Sequence, residues 1–187
     1  MTIREPARDI AVLGEADVLV AGGGVSGAAA ALAASRAGAR TVLVERNGSL
    51  GGVATAGLMA NIGNHFLDRQ GRLVIDGIAK EVVDSLVERG AASPKWASRE
   101  VPGVVIDSEQ LKPLLSEMLA SAGVTVLTHT LAARPILDGT AVNGAFIESK
   151  AGRQAVLARV VVDATGEADL AAQTGCPMRW TDGSASV

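Results

Sequence analysis

The chain has 187 residues, of which 48% are hydrophobic and 20% are charged, and its formal net charge is −3. This balance is typical of one globular domain, and the slight acidity and an aromatic content of 2% argue against nucleic-acid binding. The single cysteine, Cys176, excludes an intrachain disulfide and any zinc or iron–sulfur site built from cysteines of this chain.

The chain has no segment with the features of a membrane span or an export signal. The segment 1–17 has no long apolar stretch after its positive charges, and the longest apolar stretches are interrupted by Gly, Ser and Arg. We therefore expect no membrane association and a cytoplasmic location. No metal-ligand spacing is present, so we expect no metal, and a small-molecule site is the favoured class of function.

The first predicted unit is a strand, a helix and a second strand in close succession. An apolar, β-branched run predicts a strand over 17–21, and an Ala- and Leu-rich run predicts a helix over 25–37 that ends at Gly38. A second apolar run predicts a strand over 41–44. This is a βαβ unit, in which the two strands are parallel.

The middle of the chain alternates irregular segments with helices. The glycine-rich segment 48–63 predicts a functional loop, and the segment 90–103 resembles a surface linker. Apolar residues at helical spacing predict helices over 75–89 and 107–122. A third parallel strand is then expected over 124–129.

The last elements are short strands joined by tight turns. Strands are predicted over 132–136, 141–149 and 155–163, with turn residues between them, which favours an antiparallel meander. The remaining residues include an A-T-G sequence and end in small polar residues rather than in a further predicted element.

A G-x-G-x-x-G motif joins the first strand to the first helix. Gly22 allows a tight turn, Gly24 lets a diphosphate approach the backbone, and Gly27 lets helix and strand pack closely. The helix N-terminus offers free N–H groups and a positive dipole end to phosphates. The motif alone is weak in a glycine-rich chain, where a turn without function is the alternative.

The context of the motif strengthens the dinucleotide interpretation. Glu45 ends the second strand at the position where a carboxylate binds a ribose, and its charge disfavours the 2′-phosphate of NADP. Gly51, Gly52 and the long excursion before the third strand favour the elongated cofactor FAD over NAD. An NAD-binding domain stays open as a weaker alternative.

The ordered set of motifs resembles a known family. G-x-G-x-x-G, Glu45 and RNGSLGG, followed by VVVDATGEADLAAQTG at 160–175, are similar to the glutathione-reductase-like flavoproteins with two dinucleotide-binding domains. The stretches at 50–59, 75–90 and 107–124 resemble the FAD-dependent oxidoreductases related to the flavin subunit of heterodisulfide reductase. The resemblance covers nearly the whole chain.

The resemblance implies an α/β fold: a Rossmann-like FAD-binding domain with a parallel sheet, crossover helices and a small antiparallel β-meander. The expected single domain, 1–187, comprises a βαβ unit at 16–52, an excursion on the flavin and substrate side at 53–106, and a remainder at 107–175 that holds a helix, the third strand, the meander and the A-T-G strand end. The residues implied to contact FAD are Gly22, Gly24, Gly27, Glu45, Arg46, Gly51, Gly52, Thr55, Leu131, Ala164, Thr165 and Gly166.

Two differences from the family limit which of its properties can be expected of this chain. One cysteine cannot supply the iron–sulfur ligands of some relatives, and the family's final strand and helix have no counterpart, so we expect this chain to be an N-terminal portion. A sheet without that strand predicts poor solubility or self-association, which a mean hydropathy of +0.30 would worsen.

The function expected is an FAD-dependent oxidoreductase that transfers a hydride or electrons to an unidentified acceptor. The alternative is a non-catalytic FAD-binding fragment or subunit that needs a partner chain or the missing C-terminal portion. His65, in the loop expected near the flavin, is a weak candidate for proton transfer, and an ordinary loop histidine is the more common case. Cys176 is expected to be an inert thiol.

Overall fold

A computed structural model of the chain describes residues 2–3, 6–63, 66–98 and 103–179. Its first elements are the predicted βαβ unit: β1 (Val12–Ala21), α1 (Val25–Arg36) and β2 (Thr41–Val44). β1 and β2 are parallel, with Val18 opposite Thr41 and Ala21 opposite Val44. β1 begins five residues earlier than the apolar pattern indicated, because its first half is largely exposed and pairs with a later strand.

Eight further α-helices and β-strands follow within the described residues. They are β3 (Asn61–Ile62), α2 (Ile78–Glu88), β4 (Val104–Val105), α3 (Ser108–Ser121), β5 (Thr125–Leu127), β6 (Leu131–Asp138), β7 (Ala141–Ser149) and β8 (Gly152–Asp163). Six of the strands form one sheet in the order β5-β2-β1-β8-β7-β6, and β3 pairs with β4 in a small antiparallel sheet. β5, β2, β1 and β8 are parallel, which confirms the third parallel strand and places β1 at the centre.

The helices cover one face of the parallel strands. Leu32 of α1, Leu86 of α2 and Leu119 of α3 are fully buried in one apolar cluster with Val20 and Leu43 of the sheet. The carboxylate of Asp107 begins α3 by accepting a hydrogen bond of 2.8 Å from the Glu109 N–H. α1 is the crossover from β1 to β2, and α2 and α3 lie in the connection from β2 to the next parallel strand, β5.

The predicted meander is confirmed, and it is continuous with the parallel sheet. β6 pairs antiparallel with β7, and β7 pairs with the first half of β8 up to Leu157. From Ala155 to Asp163, β8 runs parallel to β1. A second apolar cluster, which includes Ala145 and Ile147 of β7 together with Leu19 of β1, joins the meander to the parallel strands.

The expectation of a surface linker over 90–103 is wrong for its first part. Ala91 and Trp96 are buried, and the Trp96 ring meets the Phe66 ring edge to face at a centroid distance of 5.1 Å. The sequence did not indicate this contact because the two aromatic residues lie in irregular segments without periodicity. Among the helices in the described part of the chain, none is both long and apolar enough to cross a membrane.

Candidate functional site

A cavity of about 590 Å³ opens at the carboxyl ends of β1, β2 and β8. Crevices outside the carboxyl ends of parallel strands, where the chain leaves a central strand in opposite directions, are the usual ligand sites of α/β sheets. Most residues predicted to contact the cofactor line this cavity: Gly22, Gly24, Glu45, Arg46, Gly52, Leu131, Ala164, Thr165 and Gly166. Gly27, Gly51 and Thr55 are not among the lining residues.

Two glycines of the motif are required by the packing of the backbone itself. Gly22 has a φ of +97°, and a Cβ there would clash with the Ala164 carbonyl group. A Cβ at Gly27 would clash with the Gly22 carbonyl oxygen. Both residues therefore allow β1, α1 and the end of β8 to approach closely, which brings the walls of the cavity together.

Gly24 differs from these two because the space beside it is open. Its φ of −63° is accessible to any residue, and a Cβ there would have no heavy atom nearer than the Gly52 Cα at 4.0 Å. Gly24 begins α1, whose first helical hydrogen bond runs from the Ala28 N–H to the Gly24 carbonyl (2.9 Å). The earlier N–H groups of α1 have no acceptor within the helix, so the open space adjoins a helix end whose free N–H groups and positive dipole favour an anion.

Glu45 is nearly inaccessible, at 4% exposure, and its carboxylate is bound to backbone. Oε2 accepts a hydrogen bond of 2.6 Å from the Gly23 N–H, and Oε1 accepts one of 2.7 Å from the Asn47 N–H. A carboxylate has about four acceptor positions, so capacity for further donors remains. Glu45 thus fixes the glycine loop to the end of β2, a role that the motif alone did not reveal.

The second glycine pair forms another wall of the cavity. The Gly51 N–H donates to the Gly23 carbonyl (2.8 Å), and Gly51 has a φ of +100°. Behind it, the fully buried Thr55 donates its hydroxyl to the Leu50 carbonyl (2.6 Å). Gly52 therefore faces the cavity, while Gly51 and Thr55 shape the turn that presents it.

The A-T-G turn after β8 forms a third wall, and it is held by a residue that the sequence reasoning missed. Asp163 Oδ1 accepts hydrogen bonds from the Thr165 hydroxyl (2.7 Å) and N–H (3.1 Å). Oδ2 accepts from the N–H groups of Leu170 (2.9 Å) and Ala171 (2.8 Å). The available signal was a single carboxylate that ends an apolar run immediately before a turn of small residues.

The electrostatics of Asp163 follow from these contacts. Partial burial alone would raise the pKa of its carboxyl group, because it removes water from the charged form. The hydrogen bonds from Ala171, Thr165 and Leu170 outweigh burial and lower the pKa below its ordinary value. The group is therefore ionised near neutral pH and acts as a fixed acceptor rather than as a proton donor.

Two of the residues that line the cavity on the side next to β5 are exposed to solvent. The Thr130 N–H donates to the Glu45 carbonyl (2.9 Å), which extends the pairing of β2 with β5. Arg46 is exposed and Leu131 is 44% exposed at this edge. His65, the proton-transfer candidate, lies outside the described residues. Cys176 is exposed and does not line this cavity.

The comparison with protein families gives one match over most of the chain. Residues 17–187 match the family described as FAD dependent oxidoreductase. The site has what this cofactor requires: open space for a diphosphate at the start of a helix, and a carboxylate with spare acceptor capacity at the end of the next strand. The residues present therefore fit FAD.

Curated relatives and solved structures are similar over the same region. A digeranylgeranylglycerophospholipid reductase of Methanoculleus marisnigri is 28% identical over 85% of this chain and 41% of its own length. Digeranylgeranylglycerophospholipid reductase 1 of Methanopyrus kandleri is 33% identical over 81% of this chain and 40% of its own length. The chain thus spans about two fifths of the length of these relatives.

A geranylgeranyl bacteriochlorophyll reductase-like structure from Thermoplasma acidophilum superposes with a TM-score of 0.64 at 23% identity. The match covers 87% of this chain and 42% of that one. At this identity the likeness shows the fold alone, and it agrees with the Rossmann-like arrangement described above.

Proposed function

Because this chain belongs to the FAD dependent oxidoreductase family, we propose that it forms the FAD-binding part of an oxidoreductase and holds the ADP half of FAD in the cavity beside Gly24. The observation that carries this placement is the open space at Gly24, which the fold does not fill and which adjoins the N-terminus of α1. A diphosphate in that space would accept hydrogen bonds from N–H groups that have no partner within the helix.

The other walls have distinct tasks in this proposal. Glu45 accepts hydrogen bonds from the adenosine ribose through its remaining acceptor positions. Gly52 and the turn at Ala164 to Gly166 exclude water along the dinucleotide, and Arg46 and Leu131 flank the adenine. When bound, the flavin supplies the hydride or electron-pair chemistry, while the protein contributes binding, orientation and electrostatic tuning.

The finer assignment and the rest of the protein are also proposals. The order of the motifs supports membership of the glutathione-reductase-like group, near the flavin subunit of heterodisulfide reductase. The names of the curated relatives favour a reductase. We also propose that 1–187 is one FAD-binding domain. Its βαβ unit is 16–52, its flavin and substrate side is 53–106, and its remainder, 107–175, holds a helix, the third strand, the meander and the A-T-G strand end. A further portion of the protein or a partner subunit would contact the substrate and the electron acceptor. The proposed location of the protein is the cytoplasm.

Titration of the purified chain with FAD, followed by flavin absorbance and fluorescence, tests the placement. We expect saturable binding of one FAD per chain. Glu45→Gln should weaken it about tenfold to a hundredfold, because the variant loses hydrogen bonds to a charged acceptor. Glu88→Gln, which changes an exposed carboxylate at the end of α2, serves as the matched control.

A parallel titration with NADH separates the two cofactors. Binding of NADH without binding of FAD would overturn the proposal in favour of an NAD domain. Absence of FAD binding to a folded chain would refute the placement of the site within these residues. If Glu45→Gln and Glu88→Gln change the affinity for FAD equally, the proposed contact between Glu45 and FAD is wrong.

A further inference from the structure

Asp163 joins the two ends of the segment that forms the third wall of the cavity. Its Oδ1 binds Thr165, next to the end of β8, and its Oδ2 binds the N–H groups of Leu170 and Ala171. Thr165, together with Gly166 and Asp169 between the two anchor points, lines the cavity. One carboxylate therefore closes a loop whose inner surface faces the proposed ligand.

Other hydrogen bonds also hold the loop: the Ala172 N–H donates to the Ala168 carbonyl (2.9 Å), and the Gln173 side-chain amide donates to the Asp169 carbonyl (2.7 Å). Ala164 is held to β1 by a hydrogen bond from its N–H to the Ala21 carbonyl (2.8 Å). Further along, Gly166 has a φ of +95° and Ala168 a φ of +59°. A left-handed conformation is unfavourable for alanine, so the contacts around it must hold it in place. The four hydrogen bonds to Asp163 join Thr165, before this part of the loop, to Leu170 and Ala171 after it.

The start of this loop also packs directly against the glycine loop. The Ala164 carbonyl lies so close to Gly22 that a Cβ there would clash with it. The Asp169 N–H donates to the Thr165 hydroxyl (2.9 Å), which donates in turn to Asp163. A shift of the loop would therefore move Thr165 and Asp169 together relative to the glycine loop.

We propose that Asp163 is a positioning residue of the cofactor site, which holds the loop from Ala164 to Asp169 as a rigid wall and thereby slows the release of the bound dinucleotide. This inference rests on the proposed function, since it assumes that FAD occupies the cavity. Asp163 does not line the cavity itself and acts through Thr165 and the backbone of the loop.

Asp163→Asn is the sharpest variant, because it keeps the size of the side chain. Its amide nitrogen donates and cannot accept, so either the Thr165 side or the Leu170 and Ala171 side of the network loses its acceptor. Asp107→Asn is the matched control, because Asp107 also accepts backbone N–H groups after a strand but lies at the start of α3. FAD binding to the wild-type chain is measured first, and its absence would refute the proposed function.

With wild-type binding established, stopped-flow flavin fluorescence gives the rate constants. We expect Asp163→Asn to raise the dissociation rate constant of FAD about tenfold, equivalent to about 1.4 kcal/mol, with the association rate constant within about twofold of wild type. A purely structural role would instead reduce the fraction of chains that bind, without a change in dissociation. Asp107→Asn should leave dissociation unchanged.

Amide hydrogen exchange supplies a second, ligand-free measurement. In Asp163→Asn, exchange should accelerate at 164–171 while the N–H groups of β1 stay protected. Dissociation within about twofold of wild type, or accelerated exchange throughout the protein, would overturn the inference. If Asp163→Asn does not fold, amide exchange of the wild-type protein tests the inference. Exchange of the Leu170 and Ala171 N–H groups as fast as that of the exposed turn at 150–151 would overturn the inference.

Discussion

Gly24 and Gly27 belong to one motif, but the molecule needs each of them for a different reason. A Cβ at Gly27 would clash with the Gly22 carbonyl oxygen, whereas a Cβ at Gly24 would meet nothing closer than the Gly52 Cα at 4.0 Å. The fold itself therefore requires glycine at position 27. The requirement at position 24 comes from the proposed ligand, because the protein leaves that space open.

The same substitution at the two positions should consequently affect different properties. Gly24→Ala should change the free energy of unfolding by no more than about 1 kcal/mol, the usual size of an N-cap effect, but weaken FAD binding about tenfold or more. Gly27→Ala should lower the free energy of unfolding by about 1–3 kcal/mol, because the added methyl group overpacks the contact between α1 and β1. Urea unfolding and FAD titration of both variants measure the two effects. A Gly24→Ala protein that binds FAD like wild type would refute the assignment of the open space.

At the scale of single residues, the sequence indicated many of the residues that lie around the cavity. It did not indicate which hydrogen bonds these residues make. Strand-end position and spacing were enough to select Glu45 as a candidate, and it lines the cavity. They could not show that both of its oxygens already bind the backbone of Gly23 and Asn47, since that depends on how the loops approach each other. Asp163 was missed for a related reason, because its partners Leu170 and Ala171 lie in a segment without periodicity.

At the scale of elements, β8 joins the parallel strands to the antiparallel meander within one sheet. It pairs antiparallel with β7 through residues 152–157 and parallel with β1 through residues 155–163. Where β8 changes its partner from β7 to β1, Gly144 of β7 lies opposite Leu157. Gly144 has a φ of +138°, and a Cβ at Gly144 would clash with the Val156 carbonyl. A strand of ordinary β-branched residues could not approach β8 as closely at this point.

Gly144→Ala should therefore destabilise the protein more than a substitution at a glycine that has only an unusual backbone conformation. Gly152→Ala is the control, since Gly152 has a φ of +95° and open space around its Cβ position. We expect losses in the free energy of unfolding of about 3 kcal/mol for Gly144→Ala and about 1 kcal/mol for Gly152→Ala. Urea unfolding followed by tryptophan fluorescence, to which the buried Trp96 contributes, gives both values. Equal losses would show that the close approach of β7 and β8 is not a constraint.

The elements that the sequence predicted correctly are those with a strong local signal. The apolar runs, the glycine stops and the helical spacing gave α1, α3, β2 and β7 to within a residue or two at each end. The pairing of β8 with β1 had no local signal in the sequence, because the residues of one strand do not indicate which other strand it pairs with. The burial of Trp96 against Phe66 was hidden for the same reason, since it is a contact between two irregular segments.

At the scale of the whole molecule, the sheet has an edge that other chains can reach. Within the described residues, β8 beyond Leu157 has pairing partners in β1 and none in β7. Val160 lies in this part of β8 and is 53% exposed. Unpaired N–H and C=O groups along a strand, next to an exposed apolar side chain, are a template for pairing with another chain.

We therefore expect the isolated chain to self-associate in a concentration-dependent way, and Val160→Lys to reduce this because a charged side chain on an edge strand opposes strand pairing. Ile3→Lys is the control: Ile3 is more exposed, at 91%, but lies outside the sheet. Light scattering at several concentrations gives the mass of each variant. If both lysine variants reduce association equally, general hydropathy rather than the edge of β8 drives it. If the wild type is a monomer at every concentration, the edge is protected, and strand pairing between chains is not a property of this protein.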